Sequence, residues 1–244
     1  MKKELLSKYN GKYCSIDDIV TYVKELNGSV SRNTVIWNIN DLVRQGQVVR
    51  VGRGVYGFVP MKQFIPVISE ATMRVCSILK NRFKYLMVTI TDCSALRQFM
   101  NLQPFSTTVV IEAKKSAVNA VLSALREEGV DAYAKKDFPK LEKYISSSQP
   151  FLICSELSVN PKLTRQDNYC ISSLEKMLVD LVCDEEVYGQ YQGEELRNIF
   201  RDATNNYAVN YSQILKYAAA RKKKDAVQEM LLDTDVYVKI RSLL

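Results

Sequence analysis

The stretch from Ser15 to Val59 reads SIDDIVTYVKELNGSVSRNTVIWNINDLVRQGQVVRVGRGVYGFV, and its first part predicts a helix with a clear start and stop. Ser15 and Asp18 have the spacing of a capping box, in which each side chain satisfies a free backbone N–H of the other residue. Apolar residues then repeat at helical spacing: Ile16, Ile19, Val20, Val23 and Leu26. Asn27-Gly28 is typical of a left-handed helix stop, so we expect the helix to end there.

A second helix is predicted from Arg32 to about Gln45, with Ser31 as its N-cap. Its apolar face carries Val35, Ile36, Ile39, Leu42 and Val43, and its outer face carries Asn33, Thr34, Trp37, Asn40, Asp41 and Arg44. Asn33 and Thr34 are suited to hydrogen bonds with base edges, and Arg44 is suited to a phosphate. We expect Trp37 to pack on a neighbouring element rather than stack on a base. An ordinary solvated helix face is the other interpretation of this pattern.

Gly46 ends the second helix, and two strands, 47–51 and 55–59, are predicted around a glycine-flanked turn. Arg53 is at the tip of this hairpin with Arg50 beside it, where cations can meet a phosphate or enter the minor groove. Two helices followed by such a hairpin predict a winged helix-turn-helix, which is a DNA-binding fold. The candidate DNA-binding residues are Asn33, Thr34, Trp37, Arg44, Arg50 and Arg53.

The chain after residue 60 has a different pattern, and we expect an α+β protein with domains at 1–60 and 61–244. Helices and strands alternate as far as about residue 154, which predicts an α/β part, and helices follow. Expected strands are 86–90, 107–111, 130–133 and 151–154. Expected helices are 68–80, 94–100, one around Val118 to Leu125, one with its N-cap at Ser172 that runs through Leu174 to Val182, 194–203, 211–221 and 225–232.

Composition favours an anionic partner and argues against familiar hydrolase chemistry. The net charge is +7, of which residues 1–60 contribute +4 from nine Lys/Arg and five Asp/Glu. The sequence has no histidine, which removes histidine-based nucleophile pairs, general bases and zinc ligands. No glycine-rich phosphate loop is present, so we expect no cofactor. No membrane span or signal peptide is evident, and we expect a cytoplasmic protein.

One constellation of residues has the chemistry of a catalytic site. Asp92 ends one predicted strand, and Glu112 and Lys114 follow another in the spacing E-x-K, which together imitate a Mg²⁺-dependent nuclease site. This three-residue pattern often arises by chance, so a non-enzymatic regulator is the leading hypothesis and a nuclease targeted by a winged helix is the alternative. Lys176 and Asp180 are spaced as a helix-stabilising i,i+4 pair on the solvated face of a helix whose other face is apolar. Glu175 is spaced to complete a capping box with Ser172, and residues 221–224 form a basic cluster expected at a solvated helix end.

Four segments of the sequence resemble a known family. The run from Thr34 to Tyr56 resembles the N-terminal domain of AbiEi-type antitoxins of type IV toxin-antitoxin systems. Residues 174–181, LEKMLVDL, are similar to an L-E-K-x-L-V-D-L segment of AbiEi-like proteins, and residues 191–196 and 217–222 resemble a smaller bacterial branch of that group. The resemblance implies an antitoxin that represses its own operon and counteracts a nucleotidyltransferase-like toxin encoded nearby.

Overall fold

The computed structural model describes residues 1–104, 107–137, 151–157, 164–166 and 169–244. Within these residues the chain is a mixed α and β protein. It has a three-stranded sheet near the N-terminus, a six-stranded sheet in the middle and a set of helices at the C-terminal end. None of the helices in the described part is long and apolar enough to span a bilayer.

The N-terminal elements are three helices and an antiparallel sheet. They are α1 (Lys2–Tyr9), β1 (Tyr13–Ser15), α2 (Ile16–Asn27), α3 (Arg32–Arg44), β2 (Val49–Gly52) and β3 (Val55–Gly57), with the strand order β1-β3-β2. The predicted capping box at Ser15 and Asp18 is confirmed, and Ser31 accepts a hydrogen bond from the backbone N–H of Thr34. Gly28 and Gly46 have positive φ at the ends of the two helices, as their stop signals require. The sequence interpretation omitted α1 and β1.

The middle of the chain forms a six-stranded mixed sheet, and the two α-helices of this part pack together on one of its faces. Its elements are α4 (Glu70–Arg82), β4 (Val88–Asp92), β5 (Thr108–Ala113), α5 (Val118–Glu127), β6 (Ala132–Ala134), β7 (Phe151–Glu156), β8 (Thr164–Gln166) and β9 (Tyr169–Ile171), and the strand order is β6-β7-β5-β4-β9-β8. The expected strands and helices of this part are present, most of them shifted by one to three residues, whereas β8 and β9 were not predicted. The short helix after β4 is a 3-10 helix, Cys93–Phe99.

The C-terminal part is helical, as predicted. It contains α6 (Leu174–Cys183), α7 (Glu194–Asn206), α8 (Tyr211–Ala220), α9 (Lys224–Leu232) and α10 (Asp235–Ile240). The helix α6 begins one residue later than expected, because Ser173 rather than Ser172 accepts the capping hydrogen bond. The Ser172 hydroxyl instead lies 2.6 Å from the Thr91 hydroxyl on β4, which ties the start of α6 to the sheet.

The N-terminal sheet is packed on both faces. Cys14, Tyr56 and Phe58 are buried against the three N-terminal helices. Val49, Val51 and Val55 are buried instead in the same apolar core as the C-terminal helices. A core therefore extends across the predicted domain boundary at residue 60, and the division into 1–60 and 61–244 stays a prediction.

Candidate nucleic-acid interface and a buried ion network

The outer face of α3 is exposed as the sequence predicts. Asn33, Thr34 and Arg44 are all solvent-exposed, while Val35, Ile39 and Leu42 on the opposite face are buried. Asn33 and Thr34 lie in the first turn of α3 and Arg44 is its last residue. At 1.5 Å per residue, these two ends are separated by about 15 Å along the helix axis. The face therefore offers short hydrogen-bonding side chains at one end and a cation at the other.

Trp37, in the middle of this face, is 60% exposed. The expectation that it packs on a neighbouring element is therefore wrong for most of its surface. The contact it does make is with Lys2 of α1, whose ammonium lies 5.5 Å from the ring centroid, a cation–π arrangement. The indole ring therefore remains largely open to solvent between the two ends of this face.

The hairpin between β2 and β3 presents the other two predicted cations. Arg50 and Arg53 are both exposed, and Arg53 is at the tip between Gly52 and Gly54. The Arg50 guanidinium donates a 3.3 Å hydrogen bond to the carbonyl of Gly52, which keeps that side chain close to the tip. All six predicted DNA-binding residues are thus at the surface of the N-terminal elements.

Two acidic residues of the N-terminal elements are paired with cations. Asp41 of α3 pairs with Lys2, and the hydrogen bond from that ammonium lowers the pKa of Asp41 below its usual value. Asp17 of α2 pairs with Arg32. Asp41 also lies 3.9 Å from the guanidinium of Arg44, so two cations offset its negative charge on the outer face of α3.

The nuclease constellation is not assembled. Asp92 accepts hydrogen bonds from the backbone N–H of Ser69 (2.8 Å) and from the hydroxyl of Thr72 (2.7 Å), so it faces the start of α4. Glu112 points to the opposite face of the sheet, where it contacts α6, and Lys114 is exposed beyond the end of β5. Strand alternation explains the separation, because Asp92 pairs with Val109, three residues from Glu112. In the described part of the chain, no group of three or more Cys, Asp or Glu side chains is arranged to hold a metal.

Glu112 belongs instead to a buried ion network centred on Lys176. The Lys176 ammonium lies 2.5 Å from Oε2 of Glu112, and it also pairs with Asp180 one turn along α6. The side chains of Lys176, Asp180 and Glu112 are 1%, 3% and 7% exposed. Charges buried to this extent are tolerated only when they are paired.

Helix α8 and the residue after it contribute further partners to the network. Arg221, directly after α8, donates to Asp180 (2.6 Å) and to Asp184 (2.7 Å), and the Tyr217 hydroxyl donates to Asp180 (2.8 Å). Lys135 pairs with the second oxygen of Asp184. Three cations and three carboxylates therefore join β5, the 3-10 turn after β6, α6 and α8.

The electrostatics of the network follow from burial and pairing. Burial raises the pKa of Glu112, although Lys176 opposes that rise. Burial alone would lower the pKa of Lys176, but the carboxylates of Asp180 and Glu112 outweigh it and hold that pKa above its usual value. Burial likewise favours a neutral Asp184, but hydrogen bonds from Lys135 and Arg221 lower its pKa. With three cations and three carboxylates the network is electrically neutral, and Lys176 and Arg221 offset the burial of the carboxylates that they contact.

Sequence reasoning identified several of these residues but gave them different roles. Lys176 and Asp180 do form the predicted pair, yet they are buried rather than on a solvated face. Glu175 accepts a hydrogen bond from the backbone N–H of Asn210 instead of completing a capping box. Arg221, expected at a solvated helix end, is mostly buried in the network. The available signal was the position of Lys176 and Asp180 within an almost continuous apolar run, LEKMLVDLV.

A family model described as "Family of unknown function (DUF6577)" matches residues 34–236. The chain belongs to this family. The matched region of DUF6577 begins within α3 and includes the hairpin with Arg53 and the whole ion network. Neither a curated protein nor a solved structure matches the chain.

Proposed function

We propose that this member of DUF6577 is a DNA-binding transcriptional regulator whose N-terminal elements form a winged helix-turn-helix. The observation that supports this most strongly is the element order α1-β1-α2-α3-β2-β3 with the sheet order β1-β3-β2. In that order α3 takes the place of the recognition helix and the β2–β3 hairpin takes the place of the wing.

The surface chemistry agrees with a division between base reading and phosphate contact. Asn33 and Thr34 are exposed at the start of α3, where short polar side chains can reach base edges. Arg44, Arg50 and Arg53 are exposed cations suited to phosphates or to the minor groove. Trp37 lies between the two sets and would be covered by a docked duplex.

The regulator is further proposed to be an AbiEi-like antitoxin, acting in the cytoplasm on its own operon and on a nucleotidyltransferase-like toxin. This part of the proposal has only the resemblance as support. In the segment LEKMLVDL, at 174–181, every residue except Glu175 is buried, so packing and the ion network already account for this motif. Any toxin contact would lie on other residues of the chain.

Fluorescence anisotropy with the full-length protein tests DNA binding. The probes are a labelled duplex from the region upstream of its own gene and an unrelated duplex of equal length. We expect tighter binding to the upstream duplex, and an affinity that falls steeply with salt, because each phosphate contact contributes about 0.9 to the log-log slope. Arg53→Ala should flatten that slope, whereas Lys136→Ala, an exposed cation beside the sheet-edge strand β6, should leave it unchanged. No binding to either duplex at low salt would rule out the proposal.

A further inference from the structure

The tip of the β2–β3 hairpin contacts the C-terminal helices. The backbone N–H of Arg53 donates a 2.8 Å hydrogen bond to the hydroxyl of Ser212, in the first turn of α8. The two residues are 159 positions apart in the sequence. The tip is therefore joined to the helical part of the chain and does not project freely.

The two glycines beside Arg53 are also held. The carbonyl of Gly54 accepts a 2.7 Å hydrogen bond from the backbone N–H of Ile16, at the start of α2. On the other side, a Cβ at Gly52 would lie 2.2 Å from Cδ2 of Leu244 and 3.0 Å from Oγ of Ser212. A side chain at position 52 would therefore require the Leu244 side chain to move. The tip is thus fitted between α2 on one side and α8 with Leu244 on the other.

The hairpin below the tip is fixed by apolar packing. Val51 and Val55 are buried in the same core as Tyr211 and Ile214 of α8. A movement of the hairpin away from α8 would expose these side chains to water, which costs free energy in proportion to the apolar area uncovered. The Ser212 hydrogen bond therefore acts on a hairpin whose strands already pack against α8.

A tip with the sequence Gly-Arg-Gly needs this support if it is to bind a phosphate in one place. Glycine has more backbone freedom than other residues, so two glycines around Arg53 leave an unsupported tip with many conformations. Ordering such a tip at the moment of binding would weaken affinity, and ordering it beforehand removes that loss.

We propose that the C-terminal helices belong to the DNA-binding unit, with Ser212 as a positioning residue that holds the wing tip so that Arg53 is presented to DNA. This inference rests on the function proposed above. The proposed DNA-binding unit therefore includes residues beyond the predicted winged helix-turn-helix domain at 1–60.

The test uses the full-length protein with Ser212→Ala, which removes the hydroxyl acceptor, and Ser212→Thr, which keeps one. Ser123→Ala, at an exposed serine on α5, is the matched control. Two quantities are measured: hydrogen exchange of the Arg53 amide by NMR without DNA, and affinity for the upstream duplex over a range of salt. We expect Ser212→Ala to speed exchange and to weaken binding about three- to tenfold, the effect of losing one hydrogen bond. The salt slope should not change, because no charge is removed.

Rescue of both quantities by Ser212→Thr, with no effect of Ser123→Ala, would support the proposal. Faster amide exchange with unchanged DNA affinity would overturn it, since the tip would be held without a role in binding. Unchanged exchange in Ser212→Ala would also overturn it. If the unaltered protein binds no DNA, the proposed function fails and this inference fails with it. The first two negative results, by contrast, leave the DNA-binding proposal standing.

Discussion

Replacement of Lys176 by methionine tests the buried ion network. Methionine keeps an unbranched side chain of similar length but removes the ammonium, and Lys176 is only 1% exposed. Asp180 keeps two partners, Arg221 at 2.6 Å and the Tyr217 hydroxyl at 2.8 Å. Glu112 loses its cation, and as a buried carboxyl without a partner it takes up a proton in the folded state.

The size of the destabilisation follows from the free energy needed to keep Glu112 protonated in the folded variant. The ordinary pKa of this carboxyl is 4.5. A pH of 7 is roughly 2.5 units above that pKa. At 1.36 kcal/mol per unit, keeping the carboxyl neutral at pH 7 therefore costs at most about 3 kcal/mol. At pH 5 the same cost is below about 1 kcal/mol. Between these pH values the folded variant binds more protons than its unfolded chain, so its stability falls as pH rises.

Urea denaturation at pH 5, 6 and 7 measures this effect. The destabilisation by Lys176→Met should grow with pH, from under about 1 kcal/mol to about 3 kcal/mol. The double variant Glu112→Gln/Lys176→Met should recover most of the loss and abolish its growth with pH, because the unpaired carboxyl is gone. A loss in Lys176→Met that is small and independent of pH would refute the argument, since Glu112 would then be solvated.

Three further predictions concern single residues. Trp37→Ala should change the free energy of unfolding by less than about 0.5 kcal/mol in urea denaturation, because the side chain is 60% exposed. The same variant should weaken DNA binding about fivefold or more in fluorescence anisotropy. Unchanged affinity would remove Trp37 from the proposed interface. The effects of Asn33→Ala and Arg44→Ala should differ across a panel of duplexes that each carry one base-pair change. Asn33→Ala should lose about 1–3 kcal/mol of discrimination between bases at one position, whereas Arg44→Ala should weaken binding to every duplex by a similar amount. If both variants weaken all duplexes equally, α3 reads no bases. Asp92→Asn should lower the free energy of unfolding by about 1–3 kcal/mol, because Asp92 accepts hydrogen bonds from Ser69 and Thr72. Asp131→Asn, at an exposed position, is the control. An equally small effect of both variants would contradict a structural role for Asp92.

Local signals in the sequence predicted the N-terminal elements well. Ser15, Ser31, Gly28 and Gly46 mark helix starts and stops through bonds and dihedral angles that involve near neighbours only. A short-range pattern is sufficient for such features, because the residues that cap a helix are within about four positions of its end.

Contacts between distant parts of the chain could not be read in the same way. The partner of Lys176 on β5, Glu112, is 64 positions away, and no periodicity connects them. The contact of Arg53 with Ser212 spans 159 positions. Sequence alone could not show whether Asp92 meets the E-x-K motif for the same reason, since register and strand alternation place Asp92 and Glu112 on opposite faces of the sheet.

The most direct test of the central claim compares the salt dependence of DNA binding by the full-length protein and by its triple variant Arg44→Ala/Arg50→Ala/Arg53→Ala. All three side chains are exposed, so circular dichroism should show an unchanged fold. If α3 and the wing bind the duplex, losing three phosphate contacts should reduce the log-log salt slope by about 2.7. An identical slope and affinity for the two proteins would place any DNA-binding surface elsewhere and contradict the account.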